Sequence, residues 1–215
     1  MLTLPWNNPV LPGFIVFEGL DGAGTTTQAR LLHEFLRETD GSEEKTPVLT
    51  CEPTDRPTGR LIRTLLAADE HVEAWTLALL FAADRNEHLK DPIRGIEAAL
   101  GNGQIVISDR YLFSSLAYQG SFADFTEVER LNGAFPLPEY LLFIDTPLHT
   151  AEKRMSSRAV RDRLEQSTVQ ERVEGLYRAV IDEFEERVPA MKVHRFDGSA
   201  APGEISRQIT TLFRR

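Results

Sequence analysis

The sequence predicts an α/β protein built on a five-stranded parallel β-sheet with helices on both faces. Short apolar or β-branched runs alternate along the chain with longer helical patterns, which is the order typical of parallel sheets. Runs such as Ile105–Ile107 and Leu141–Ile144 are also continuously apolar. Strands covered by helices on both faces have this pattern, whereas half-exposed strands alternate with polar residues.

The strands are predicted at five runs in chain order: 14–18, 47–51, 104–108, 140–145 and 191–196. Apolar spacing and end signals predict helices between and after them: 26–38, 58–67, 72–100 with a break near Pro92, 113–119, 125–133, 147–157, 167–187 and 202–214. Two of these helices open with proline, which is favoured in the first turn.

Length and composition limit the classes of protein. The 215 residues fit one domain, and 41% hydrophobic with 27% charged residues excludes a disordered or low-complexity chain. The 33 acidic residues exceed the 24 basic ones, giving a net charge of -9. This charge opposes binding to nucleic acid, so we expect none, and an anionic substrate would need a local basic pocket.

The sequence favours a soluble, cytoplasmic protein. Cys51 is the only cysteine, so no intramolecular disulfide calls for an oxidising compartment. Residues 1–12, which we treat as an N-terminal extension, lack a basic segment and contain three prolines, so we expect no signal peptide. No apolar run approaches the roughly 20 residues needed to span a bilayer, and we expect no membrane partner.

A glycine-rich turn lies directly between the first predicted strand and the first predicted helix, which is the setting of a P-loop. Gly19, Gly22 and Gly24 permit positive φ angles and a close backbone approach, so that successive N–H groups can surround phosphate oxygens. Thr26 occupies the position whose hydroxyl binds magnesium. Thr25 stands where the pattern requires lysine, and a glycine-rich turn without a ligand therefore remains an alternative.

An acid and a guanidinium, Asp109 and Arg110, follow the third predicted strand. Ligands of doubly wound sheets bind at the carboxyl ends of such strands. Asp109 can support magnesium and Arg110 can hold a phosphate. A simple ion pair at a strand end is the alternative.

Two helical segments carry further candidates. Phe81 and Arg85 lie four residues apart on one helical face, where they could stack on a base and hydrogen-bond its edge, although helical aromatics usually belong to the core. Five basic residues lie between Lys153 and Arg163 in an otherwise acidic chain. They predict either a solvated helix end or a mobile lid over phosphates, at about residues 154–166.

In this order, the motifs resemble those of bacterial thymidylate kinases, which are P-loop nucleoside-monophosphate kinases. The resemblance runs from about Phe14 to Arg214. It is carried by Phe17–Gly24, Glu52-Pro53, Leu80–Arg85, Ser108–Tyr111 with Ser115–Gly120, and Asp162–Glu165. It implies a P-loop NTPase-type fold with an arginine-rich lid, and transfer of the γ-phosphoryl group of ATP to dTMP with Mg²⁺ on the route to dTTP.

The resemblance also implies site residues. ATP and its phosphates would be bound by Gly19, Leu20, Asp21, Gly22, Ala23, Gly24, Thr25, Thr26, Thr27 and Arg154, and dTMP by Asp21, Glu52, Pro53, Phe81, Arg85, Arg110, Ser115, Tyr118 and Gln119. Phe81 matches the ring that stacks on thymine, Arg85 the group that binds its carbonyl edge, and Tyr118 the residue that crowds the sugar 2′ position. Catalytic roles fall on Asp21, Arg110, Arg158 and Arg161, and metal binding on Thr26, Asp109 and Glu165.

Two departures from the family pattern bear on function. Thr25 removes the P-loop lysine, and we expect the lid arginines, above all Arg158 and Arg161, to supply the missing charge. Cys51 stands where many relatives carry a basic residue, and Arg56 or Arg60 could replace that residue. None of the five histidines lies in a matched motif, and we assign them no role.

The alternatives to dTMP kinase activity are a kinase for another nucleotide acceptor and a nucleotide-binding module without catalysis. An intact acceptor-site pattern argues against the module. Relatives are usually homodimers, so the resemblance implies a homodimer. The apolar stretch Trp75–Phe81 could supply such a face, or could be core.

Overall fold

The computed structural model describes residues 2–40, 46–68, 72–155 and 167–214. Within them, five strands form one parallel sheet in the order β2-β3-β1-β4-β5. The strands are β1 (Val10–Glu18), β2 (Val48–Cys51), β3 (Val106–Asp109), β4 (Leu137–Asp145) and β5 (Lys192–Asp197). The predicted fold class is confirmed.

Nine helices lie within the described residues. They are α1 (Thr25–Asp40), α2 (Pro57–Ala67), α3 (Ala74–Lys90), α4 (Ile96–Gly101), α5 (Leu112–Phe122), α6 (Phe125–Asn132), α7 (Leu148–Met155), α8 (Ser167–Arg187) and α9 (Pro202–Thr211). Pro57 and Pro202 occupy first-turn positions, as the sequence predicts for residue 202.

The core has two layers because successive strand residues point to opposite faces of the sheet. Phe14 and Val16 of β1 pack in one buried cluster, while Ile15 and Phe17 pack in the other. The first cluster includes side chains of α3, α5, α6 and α8, and the second includes α1 and α9. Helices therefore cover both faces, which explains the continuously apolar strands.

The predicted break near Pro92 is confirmed, and its cause is local. α3 ends at Lys90, and Asp91 Oδ1 then accepts hydrogen bonds from the backbone N–H groups of Ile93 and Arg94, both at 2.9 Å. A Cβ on Gly95 would lie 2.4 Å from the Asp91 carbonyl oxygen, so this tight turn requires glycine there. α4 starts directly afterwards.

The first strand is longer than predicted, so residues 10–12 of the expected extension belong to β1. Val10 and Leu11 pair with Leu137 and Pro138 of β4, and the register then shifts before Ile15. Gly13, with φ of +79°, lies in this irregular stretch. Pro12 and Gly13 interrupt the apolar run before Phe14, which explains the short prediction. No helix in the described residues is both long and apolar enough to cross a membrane.

Residues 2–6 are anchored on α6 by a buried carboxylate. Glu129 accepts hydrogen bonds from the backbone N–H groups of Thr3 and Leu4, from the Thr3 hydroxyl and from the Trp6 indole, at 2.5 to 3.0 Å. Burial alone would raise the pKa of Glu129, but these hydrogen bonds outweigh it and hold the pKa below its usual range. Leu2 and Trp6 are thereby buried in the core.

We predict that Glu129→Gln lowers the free energy of unfolding by about 1–3 kcal/mol, because one amide oxygen cannot serve all these donors. Urea denaturation at neutral pH measures the change. Glu127→Gln on the same helix is the matched control, since Glu127 forms only an exposed pair with Arg130 and should change stability by less than about 0.5 kcal/mol. Equal losses in the two variants would contradict the anchoring role.

Candidate active site

The candidate site lies at the carboxyl ends of the neighbouring strands β1 and β3. The glycine-rich loop follows β1, and Arg110 follows β3. The Arg110 backbone N–H donates to the carbonyl oxygen of Phe17 at 2.9 Å, which joins the two strand ends. The structure therefore brings the two sequence motifs together where ligands of such sheets bind.

The loop of residues 19–24 has the backbone of a phosphate-binding turn. Gly22 and Gly24 have φ of +84° and +100°, and a Cβ on Gly22 would lie 2.5 Å from the carbonyl oxygen of Ala151 in α7. Leu20 and Ala23 are buried in the core, so they can contribute to a ligand site through their backbone. The first N–H groups of α1, from Thr25 onward, have no partner within the helix and favour an anion.

The missing lysine leaves a buried Thr25, and a cation from another element reaches the same loop. Arg154 of α7 donates to the carbonyl oxygen of Ala23 at 3.3 Å and to that of Gly198 at 2.8 Å. The guanidinium of Arg154 thus lies against the P-loop, and its contact with ATP stays a prediction. Thr26 and Thr27 are exposed in the first turn of α1.

The hydroxyl of Thr26 donates to Asp109 Oδ2, which places two of the three predicted metal residues together. The other carboxylate oxygen, Asp109 Oδ1, is buried and accepts no hydrogen bond within the described residues. Hard oxygen donors with a spare acceptor suit Mg²⁺, which usually takes one or two protein ligands besides water and substrate phosphates. No cluster of three or more His, Cys, Asp or Glu side chains suited to a metal occurs in residues 2–40, 46–68, 72–155 and 167–214.

Arg110 adopts a backbone conformation that is rare outside glycine, with φ of +75°. Its side chain holds the P-loop: Nη1 donates to the Gly19 carbonyl oxygen and to Ser114 Oγ, each at 3.0 Å, and Nη2 lies 2.6 Å from Asp21 Oδ1. The guanidinium is partly exposed, so it remains accessible to an anion.

Side chains from two helices also donate hydrogen bonds to Asp21. Tyr118 of α5 donates its hydroxyl to Asp21 Oδ2 at 2.8 Å, and Gln170 of α8 donates to the same oxygen at 2.8 Å. Burial raises the pKa of Tyr118, and the nearby Asp21 charge raises it further, so the phenol stays protonated as a donor. No sequence motif contains Gln170, which was missed because it lies 149 residues from Asp21.

A pocket beside these residues contains every residue predicted to bind dTMP. It is lined by Asp21, Glu52, Pro53, Leu66, Phe81, Arg85, Arg110, Tyr111, Ser114, Ser115, Tyr118 and Gln119. Phe81 is half-buried on its wall. The sequence did not single out Leu66 or Ser114 for this pocket.

Arg85 is buried at the inner end of this pocket, with 1% of its surface exposed. Its Nε and Nη2 lie 2.9 and 2.8 Å from Glu52 Oε2. Nη1 donates to Asn132, and Nη2 also donates to Ser115 Oγ at 3.0 Å. A planar guanidinium held at each nitrogen has a fixed orientation, which suits the reading of a base edge.

The expected replacement for a basic residue at Cys51 was wrong. Arg56 is buried in an ion pair with Asp91 at 2.7 Å, and Arg60 donates to the carbonyl oxygen of Asp55. It is Arg63, one helical turn beyond Arg60, that contacts Cys51 Sγ and the Pro53 carbonyl oxygen. Burial raises the pKa of the Cys51 thiol, which favours a structural role.

Glu18, the last residue of β1, is a fully buried carboxyl beneath the site. It accepts from the backbone N–H of Tyr111 at 2.9 Å, from Ser114 Oγ at 2.6 Å and from the Tyr177 hydroxyl. Burial raises the pKa of Glu18 from 4.5 to about 7, although the charge of Arg110 and these hydrogen bonds oppose the increase.

This raised pKa predicts a pH-dependent stability. Between pH 4.5 and about 7 the unfolded chain ionises Glu18 while the folded protein keeps it protonated. The contribution of Glu18 to the free energy of unfolding is therefore full below pH 4.5 and falls by about 3 kcal/mol as pH rises through this window. Glu18→Gln removes the titration, so the stability difference between wild type and variant isolates it in urea unfolding.

A difference that stays constant from pH 4.5 to 7 would contradict the raised pKa. Other carboxylates and histidines titrate equally in both proteins and cancel in the comparison. Their cancellation is the reason for measuring the difference rather than the wild type alone.

The remaining predicted residues fall on residues 156–166. Arg158, Arg161 and Glu165 lie outside the described residues. Their assigned roles on the phosphates and the metal stay predictions.

Comparisons with known proteins identify the family of this chain. The thymidylate kinase family model matches residues 17–195. "Putative thymidylate kinase" of Treponema pallidum is 39% identical over 189 residues, covering 87% of this chain and 88% of the relative. "Probable thymidylate kinase" of Methanococcus maripaludis is 38% identical over 193 residues, covering 88% of each chain.

The fold also matches a solved structure. Thymidylate kinase from Candida albicans superposes with a TM-score of 0.75 at 22% identity, covering 96% of this chain and 91% of that one. The match of the family model over most of the chain, together with relatives near 40% identity, establishes its membership. The chain belongs to the thymidylate kinase family.

Proposed function

We propose that this protein transfers the γ-phosphoryl group of ATP to dTMP, which yields dTDP and ADP. The observation that carries the proposal is one pocket lined both by a ring and a fixed guanidinium, Phe81 and Arg85, and by Arg110, which contacts the P-loop. A nucleoside monophosphate likewise combines a base with a phosphate.

Phosphoryl transfer requires mainly alignment and neutralisation of charge. The acceptor phosphate has a second pKa near 6, so it is already an anionic nucleophile at neutral pH and needs no general base. Arg110 would bind this phosphate, and its contacts with Asp21 and the Gly19 carbonyl oxygen fix it next to the donor loop. The P-loop N–H groups would hold the β- and γ-phosphates of ATP.

We also propose Mg²⁺ as the cofactor, held by Thr26 and Asp109, where it would neutralise charge on the transferred group when bound. The spare buried oxygen of Asp109 supports this assignment. We retain Glu165 as a further metal residue, and Arg158 and Arg161 as cations that compensate for Thr25, together with Arg154.

The position of Tyr118 in the pocket supports selection of deoxyribose. Tyr118 contacts Asp21 through its hydroxyl, and its buried ring lines the pocket. A rigid ring at this place would crowd a 2′-hydroxyl. Asp21 remains partly exposed and could bind the sugar hydroxyl that deoxyribose retains.

Three further assignments belong to the proposal. The chain forms a single kinase domain with a lid at about residues 154–166. It acts in the cytoplasm, and it forms a homodimer through α3, where Leu79 is 46% exposed. We propose no nucleic-acid or membrane partner.

The direct test is ADP formation from ATP and Mg²⁺ with dTMP, dUMP, dCMP, dGMP and AMP offered separately. We predict a preference for dTMP over dCMP and AMP, because Arg85 can donate to the carbonyl edge of thymine, whereas cytosine and adenine carry an amino group at the corresponding position. Preference for another acceptor would favour a different nucleotide kinase. If the wild type phosphorylates none of these acceptors while Thr25→Lys phosphorylates dTMP, the result would favour the non-catalytic module.

Two aromatic substitutions test whether the base of dTMP binds in this pocket. Phe81→Ala should raise the KM for dTMP by roughly 10-fold or more, since base stacking on an aromatic ring contributes about 1–3 kcal/mol. Phe122→Ala is the matched control, because Phe122 is exposed at the end of α5 and does not line the pocket. An unchanged KM in Phe81→Ala would place the base elsewhere.

A further inference from the structure

His88 lies directly behind the base-reading arginine, although sequence reasoning gave no histidine a role. It is three residues after Arg85 on α3 and only 2% exposed. We infer that His88 is a positioning residue for base recognition: it holds the carboxylate of Glu52, and through Glu52 it fixes the orientation of Arg85. This inference rests on the proposed function.

The two oxygens of Glu52 are divided between two partners. His88 Nδ1 lies 3.0 Å from Oε1, while Arg85 Nε and Nη2 lie within 2.9 Å of Oε2. Glu52 follows β2, and both of its partners belong to α3. The contact with His88 therefore prevents rotation of a carboxylate that Arg85 alone would hold by one oxygen.

The second nitrogen of His88 fixes its own ring. His88 Nε2 lies 2.7 Å from the hydroxyl of Thr50 in β2. One tautomer, with Nδ1–H donating to Glu52 and Nε2 accepting from Thr50, satisfies both contacts at once.

The effect is expected at the base rather than at the phosphates. Arg85 shares its other N–H groups with Asn132 and Ser115, and neither of these contacts is with the P-loop. Arg110, by contrast, is held by Asp21 and Ser114, which do not contact His88. Loss of the contact between His88 and Glu52 should therefore weaken acceptor binding without slowing phosphoryl transfer.

Two substitutions distinguish the contact that His88 Nδ1 makes with Glu52 from the contact that Nε2 makes with Thr50. The amide of Asn lies close to the position of Nδ1, so His88→Asn keeps a donor for Glu52. The amide of Gln lies close to Nε2, so His88→Gln keeps the contact with Thr50 and loses the contact with Glu52. We expect the KM for dTMP to rise about 10-fold in His88→Gln and to stay within about 3-fold of wild type in His88→Asn.

A general structural role for His88 would alter several kinetic parameters together, whereas the inferred role alters the KM for dTMP alone. In His88→Gln, we expect an unchanged kcat, an unchanged KM for ATP and a smaller preference for dTMP over dCMP. His88→Leu has a similar volume and no polar atom, and should behave like the Gln variant; if the Gln variant does not fold, the Leu and Asn variants make the same comparison. His33→Gln is the control, because His33 Nε2 lies 3.0 Å from the carbonyl oxygen of Pro47, just before β2, and His33 does not line the pocket.

Equal KM values for dTMP in the Asn and Gln variants would overturn the inference, as would a fall in kcat with KM unchanged. Calorimetric titration of dTMP keeps this outcome separate from failure of the proposed function. If the wild type binds dTMP without turnover, the proposed activity fails, while a weaker Kd for dTMP in His88→Gln than in His88→Asn would still support the role of His88.

Discussion

The ion pair between Arg110 and Asp21 joins the two loops on which the rest of the site depends. Arg110 follows β3 with φ of +75°, and Asp21 lies in the loop after β1. Their side chains meet at 2.6 Å, and the same guanidinium also binds the Gly19 carbonyl oxygen. A strained backbone persists only where surrounding contacts hold it, and here those contacts connect the acceptor side to the donor side.

A second arginine, Arg85, is more completely buried than Arg110. The protein has a net charge of -9, so its anionic substrates need local positive charge that is held in place. Arg85 is compensated by Glu52 and enclosed by the rings of Tyr111 and Phe135, at 5.2 and 5.5 Å from their centroids. In the proposed function, the partly exposed Arg110 binds a phosphate, whereas the buried Arg85 makes directional contacts with a base.

Local patterns in the sequence predicted much of this arrangement. The parallel sheet, the glycine-rich loop, the break near Pro92 and most residues of the pocket, though not Leu66 or Ser114, follow from contiguous motifs or a family resemblance. Gln170, Asn132 and His88 were missed, because each acts through a partner distant in sequence. Spacing could not separate Arg63 from Arg60 at Cys51, since that contact depends on how α2 lies against β2.

The most direct test of the account is a double-mutant cycle on Asp21 and Arg110, measured as kcat/KM for dTMP. If the two residues act as one unit, Asp21→Asn and Arg110→Gln together should cost about as much as the more damaging single substitution. Losses that multiply in the double variant would show that the two residues act independently, and would contradict the central role of their ion pair.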